Sequence, residues 1–221
     1  MMLRVRAVLF DLDGTLVDSA PDLAGAGNDM RLARGLPALA YESFRPLVGS
    51  GARGMIGAAF SVGPHEPEFA PLRDEFLTRY EQRMTQETRV FADMFPILAA
   101  LEAIACPWGI VTNKAMRFTD PLVRALHLHP RTSVLIAGDT TPHPKPHPAP
   151  LIEAARRIGV EPRHCAYVGD DLRDVQAGRA AGMTTVAVRW GYLGLGDPIE
   201  SWGADHLADS PDDILKRLAM A

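Results

Sequence analysis

The spacing of apolar residues predicts an α/β fold, a doubly wound parallel sheet interrupted once by a small helical insert. Short apolar runs alternate with helical patterns over most of the chain. Gly159 and Gly182 fall where helix C-terminal glycines are expected. One segment, from Ser19 to about Met84, holds helical spacing but no good strand. Strand and helix in alternation imply a parallel sheet covered on both faces.

The elements follow in order. Val5 to Phe10 reads as the first strand, and its continuous apolar run Ala7 to Phe10 suits a strand buried on both faces. Ser19 with Asp22 resembles a capping box, and Leu23, Ala26 and Met30 follow on one helical face. "GSGARG", Gly49 to Gly54, matches G-x-G-x-x-G, but no strand precedes it. It therefore reads as a loop between insert helices, not a dinucleotide site. Phe69, Leu72, Phe76, Leu77, Tyr80 and Met84 mark a longer amphipathic helix. Beyond it, helices are expected at Phe95 to Ala105, Met116 to Leu126, Ala149 to Ile158 and Leu172 to Ala181. The strands between and after them are Trp108 to Val111, Val134 to Ala137, Ala166 to Val168 and Thr185 to Val188. The expected division is a core of residues 1–17 and 86–221 around a helical insert of residues 18–85.

Composition narrows the function. A chain of 221 residues, 47% hydrophobic and 23% charged, supports one sizeable domain or two unequal ones. A net charge of −4 argues against a general nucleic-acid or anionic-membrane binder. Cys106 and Cys165 form no CxxC pair, which suits a reducing cytoplasm. The first apolar run is too short for a signal peptide. "FPILAALEAIACPWGIV" carries Glu102 and is broken by Pro107 and Gly109, so it reads as helix then strand, not as a membrane span. A soluble cytoplasmic protein, monomer or homodimer, is expected.

Ligands of open parallel sheets bind at the carboxyl ends of the strands. Reading those ends gives Asp11 and Asp13, then Thr112, Asn113 and Lys114, then Asp170, Asp171 and Asp174. The "HPKPHP" loop adds Lys145. Two like charges ~4 Å apart repel by roughly 4 kcal/mol at an effective dielectric of 20. One lysine cannot offset five carboxylates, so a divalent cation is implied. All-oxygen ligands favour Mg²⁺ or Ca²⁺ over zinc, and a Mg²⁺ site usually shares its ion with a phosphate. His143 and His147 are four apart, but Pro144, Pro146 and Pro148 exclude a helix that would pair them. Asp171 has two readings, a helix N-cap or a further member of the acid cluster.

"DLDGT", "VTN", "KPHP" and "GDDLRD", in this order, resemble the haloacid dehalogenase superfamily of phosphohydrolases. The resemblance spans nearly the whole chain, and the helical insert matches that family's cap. It implies a Rossmann-like core and a Mg²⁺-dependent hydrolase of small-molecule phosphate esters. By that resemblance Asp11 is the nucleophile that becomes an aspartyl-phosphate, and Asp13 is the general acid and later the base. Thr112 and Lys145 bind phosphoryl oxygens, and Gly14 and Asn113 belong to the substrate site. Asp170 holds Mg²⁺ with Asp11 and the Asp13 carbonyl, while Asp174 orients metal-bound water. A dehalogenase of this superfamily lacks the second acid; a phosphosugar mutase keeps every motif.

"FDLDGTLVDSAPDLA" looks like the phosphoglycolate phosphatase branch. "WGIVTNKAMRF" and "VRWGYLG" look closer to relatives that act on N-acetylmuramic acid 6-phosphate. Both substrates carry a carboxylate, so a cap arginine suits either. Arg53, in its glycine-flanked loop, is the expected reader of that group; the other reading is a solvated helix arginine.

Overall fold

Residues 5–218 are described by the structure, a computed structural model; residues 1–4 and 219–221 of the expected core lie outside the described residues. The first strand, β1 (Ala7–Phe10), is buried at every position. It runs parallel between β4 (Trp108–Val111) and β6 (Cys165–Gly169), with Phe10 beside Ile110 on one side and Val168 on the other. Outside these lie β5 (Val134–Ile136), and on the other side β7 (Thr184–Val188) and β8 (His206–Ala208). Among the described residues this is one six-stranded sheet of order β5-β4-β1-β6-β7-β8, parallel throughout.

Alternation along β1 sends its side chains to two separate cores. Val8 and Phe10 pack with Met94, Ile97 and Leu101 of α4 (Met94–Ala103) and Leu122 of α5 (Met116–Ala125). Ile214 of α8 (Asp212–Arg217) joins the same face. Ala7 and Leu9 pack instead with Leu151 and Ala154 of α6 (Ala149–Ile158) and Ala177 of α7 (Leu172–Ala180). Helices thus cover both faces, as the apolar runs require. The strand order reverses at β1, and the carboxyl ends of β1, β4 and β6 meet there.

The insert consists of α1 (Ala20–Leu32), α2 (Gly51–Phe60) and α3 (Phe69–Arg83). Ala26, Met30, Met55, Ile56, Phe76 and Tyr80 form its core, to which the sheet unit contributes Phe118 and Tyr192. The chain enters it through β2 (Val17–Asp18) and leaves through β3 (Arg89–Val90), an antiparallel pair with Val17 opposite Val90.

Two local expectations are corrected. Ser19 stands at the N-cap of α1 but makes no side-chain cap. Its hydroxyl donates to Asp13, while the Asp22 carboxylate accepts from Glu87 N, Thr88 N and Thr88 Oγ1 at 3.0, 2.8 and 2.8 Å. The acid joins α1 to the chain leaving the insert because Arg83 and three donors converge on it there. "GSGARG" is not a free loop, since Gly51 to Gly54 form the first turn of α2. A Cβ on Gly54 would lie 2.4 Å from the Leu47 carbonyl, so its glycine serves close packing. The pair β8 and α8 carries no signal strong enough to predict it from sequence.

Candidate active site

The end of β1 delivers Asp11 to the point where the strand order reverses. Its backbone N–H still donates to Val168 at 2.9 Å, so the ladder fixes the residue up to the carboxylate. Asp170 and Asp174 arrive from the end of β6 and the first turn of α7. One carboxylate oxygen from each of Asp11, Asp170 and Asp174 lies within 4.8 Å of the others, and all three residues are buried.

One ammonium answers these three acids. Lys145 Nζ donates to Asp11 Oδ1 at 2.8 Å, Asp174 Oδ1 at 2.7 Å and Tyr167 Oη at 2.7 Å. Asn113 holds that lysine's backbone from both sides, donating to Lys145 O and accepting from Lys145 N at 2.9 Å each. Asn113, expected at the substrate site, lines the cavity, while its amide nitrogen and oxygen also brace the lysine loop.

Asp170 sits in a glycine cradle. Its Oδ1 accepts from Thr15 Oγ1 at 2.9 Å and its Oδ2 from Tyr192 N at 2.8 Å. Gly14 has φ of +86°, and a Cβ there would fall 2.2 Å from Asp170 Oδ2. Asp174 has both oxygens engaged, Oδ1 by Lys145 and Oδ2 by the Asp171 N–H at 3.1 Å. Asp171 resolves as the N-cap of α7, in a reciprocal capping box with Asp174. Arg173 pairs with Asp171 at 2.7 Å and also donates to the Gly49 carbonyl of the insert.

Burial and the neighbouring charges of Asp174 and Asp13 push the Asp11 carboxyl up to about 7, against the pull of Lys145. Burial, with Asp11 and Asp174 nearby, pushes Asp170 well above the usual carboxylate range. Three buried acids facing one lysine are short of positive charge. That donor set, all oxygen and in a glycine-shaped recess, fits a small hard cation.

Asp13 stands apart from the cluster. Its Oδ1 accepts from Lys114 Nζ at 2.7 Å and from the Ser19 hydroxyl. Thr112, 3% exposed, closes the floor beside it. Above these groups lies a cavity of about 390 Å³ between the sheet edge and the insert. Asp11, Asp13, Thr112, Lys145 and Asp170 line its floor; Leu23, Val48, Phe76, Leu77, Tyr80 and Phe118 form an apolar wall.

Arg53 does not reach this cavity. It is exposed in the first turn of α2, while Met55, Ile56 and Ala59 take the buried face. Arg117 is the arginine at the cavity without an acid partner among the described residues, its guanidinium 4.4 Å from the Phe118 ring centre. Tyr167, Lys114 and Tyr192 are further site residues. The Tyr192 hydroxyl accepts from Ser19 N and Ala20 N and donates to Asp18 Oδ1 at 2.9 Å, so one residue ties Asp170 to the root of the insert. Nothing in the sequence singles out Tyr192, and Lys114 is marked only by its place beside Thr112 at a strand end.

Comparison with known proteins agrees with this geometry. The chain is 42% identical over 219 residues to the N-acetylmuramic acid 6-phosphate phosphatase of Pseudomonas aeruginosa, covering 99% of this chain and 97% of the relative. It is 47% identical over 210 residues to the phosphoglycolate phosphatase of Xanthomonas campestris, covering 95% and 94%. A crystal structure from Haemophilus somnus, described as a predicted phosphoglycolate phosphatase, superposes with a TM-score of 0.85 at 29% identity, covering 98% and 99%. Residues 8–188 match the family model of the haloacid dehalogenase-like hydrolases. With the acid cluster at the reversal point of the sheet and the helical insert above it, the chain belongs to the haloacid dehalogenase-like hydrolases.

Proposed function

We propose that this chain is a magnesium-dependent phosphomonoester hydrolase that works through an aspartyl-phosphate at Asp11. Its substrate is a small phosphate ester carrying a carboxylate, of the phosphoglycolate type. The observation that carries this reading is the separation of two acids two residues apart. Asp11 lies in the three-acid cluster against Lys145, whereas Asp13 is held outside it by Lys114 and Ser19. One acid is placed for attack; the other is placed to move protons.

In the first step an Asp11 carboxylate oxygen bonds to phosphorus, the ester P–O bond breaks, and the leaving alkoxide takes the proton of Asp13. In the second, ionised Asp13 takes a proton from water as its oxygen bonds to phosphorus. The Asp11–phosphorus bond breaks, phosphate leaves, and both acids return to their starting forms. Lys145 and the Thr112 hydroxyl donate to phosphoryl oxygens. Asp11, Asp170 and the Asp13 carbonyl would hold magnesium, with Asp174 orienting its water, and the ion would supply positive charge for the transferring group.

A second substrate reading is N-acetylmuramic acid 6-phosphate. The Pseudomonas relative favours it, as does an apolar-walled cavity of about 390 Å³, more room than a two-carbon acid fills. Phosphate release from both esters, by wild type and Asp11→Asn, tests the proposal. Asp11→Asn should lose at least ~10³-fold in kcat while keeping its fold. Substantial turnover by that variant would remove Asp11 as nucleophile. Conversion of β-glucose 1-phosphate to glucose 6-phosphate would replace the hydrolase with a mutase.

A further inference from the structure

Tyr80 of α3 is 2% exposed and lines the cavity, yet its hydroxyl is buried without a hydrogen-bond partner. Buried hydroxyls are nearly always paired, so an orphan at a binding cavity needs an explanation. The ring cannot swing away to find one. It stacks on Phe76 at 6.4 Å between ring centres and meets Phe118 edge-on at 5.6 Å. Burial pushes the Tyr80 hydroxyl above its usual range, so at neutral pH it is a neutral donor.

Lys114 stands beside it, Nζ 5.0 Å from the ring centre. An ammonium has three N–H donors; this Nζ donates to Asp13 at 2.7 Å, and the Tyr80 oxygen beside it is a second group toward which it can turn an N–H, which leaves one donor over. The Tyr80 O–H, on the insert, and a spare N–H of Lys114, on the sheet unit, therefore stand side by side at the cavity without an acceptor among the described residues. The phosphoryl group is served elsewhere, by Thr112, Lys145 and the acid cluster.

We infer that Tyr80 and Lys114 form the subsite that takes the substrate's second anionic group, a carboxylate, by donating to it together. This rests on the hydrolase reading above and adds what selects the substrate. Lys114, on its flexible stem, is the wall group able to move, so an entering carboxylate competes with Asp13 for its ammonium. Leu23, Phe76, Leu77 and Phe118 then face the carbon skeleton.

Two matched pairs of esters test the subsite: phosphoglycolate with ethyl phosphate, and N-acetylmuramic acid 6-phosphate with N-acetylglucosamine 6-phosphate. Within each pair the carboxylate-bearing group is the difference, and the preferred pair identifies the skeleton. Tyr80→Phe should lower the ratio of kcat/KM, carboxylated over uncarboxylated, by about 10- to 100-fold. Lys114→Met should lower the same ratio, and the double variant should lose less than the product of the two. The lysine variant carries the test if Tyr80→Phe does not fold. An equal loss on both members of each pair, or an unchanged ratio, overturns the subsite. Equal wild-type turnover of both members also overturns it. Release from none of the four esters would instead overturn the hydrolase reading. Calorimetric binding of phosphoglycolate against ethyl phosphate, in wild type and Tyr80→Phe, would then decide the subsite by the same ratio.

Discussion

Lys145 Nζ and Asp11 Oδ1 are 2.8 Å apart, with the lysine side chain 3% exposed and the aspartate 12%. The same ammonium holds Asp174 at 2.7 Å. Its removal leaves three buried acids with no counter-charge, and an uncompensated buried charge costs about 3–5 kcal/mol. Lys145→Met should therefore lower the urea midpoint in metal-free buffer as well as abolish turnover. A variant that loses activity with unchanged stability would show that the lysine serves substrate alone.

Metal removal should act in the same two ways. EDTA should abolish phosphate release, Mg²⁺ should restore it, and Ca²⁺ should restore it poorly because its coordination is larger and looser. Mg²⁺ at a hundred times its Kd should stabilise the folded chain by about 2.7 kcal/mol. A melting temperature indifferent to Mg²⁺ would count against the three-acid site as its place.

Arg117 and Arg53 should separate cleanly. Arg117 lines the cavity without an acid partner among the described residues, so Arg117→Ala should lower kcat/KM by up to about 10-fold at low salt, with the effect fading at high salt. Arg53→Ala should change little. A large, salt-independent loss at Arg53 would return it to the site.

Asp22 is fully buried and receives the chain as it leaves the insert. Asp22→Ala leaves the Glu87 and Thr88 N–H groups without their acceptor, at about 1–3 kcal/mol for each group left unpaired. Urea unfolding should show the loss. Limited proteolysis should cut first near residues 84–90.

Both thiols should be silent. Burial pushes Cys165 up to about 11, with Cys106 nearby adding to the shift, and burial raises Cys106 as well. At pH 8 both are protonated and enclosed, so a disulfide reagent should label them only as the chain unfolds or the pH rises well above 8. Fast labelling of native protein at pH 8 would contradict this.

The place of the acid cluster was more legible in the sequence than the residues that support it. Asp11, Thr112, Lys145 and Asp170 each end an apolar run or sit in a proline-fixed loop, so their positions were legible. The pair β2 and β3 was not, because two residues show no periodicity. Tyr167 lies inside the apolar run of β6, where its ring reads as core and its hydroxyl gives no sign of reaching Lys145. Tyr192 finds partners at Ser19 and Ala20, more than 170 residues away, which no local pattern records. Arg53 lies exposed on α2 rather than in a loop for a physical reason: Gly54, which suggested flexibility, packs tightly against Leu47.

The pairing of Val17 with Val90 has an evolutionary consequence. The insert begins and ends on neighbouring strands, about 5 Å apart. Everything between can be exchanged for another helical module without disturbing the sheet, provided the newcomer covers Phe118 and Tyr192. Both crossings between insert and sheet unit thus lie side by side, joined at two valines.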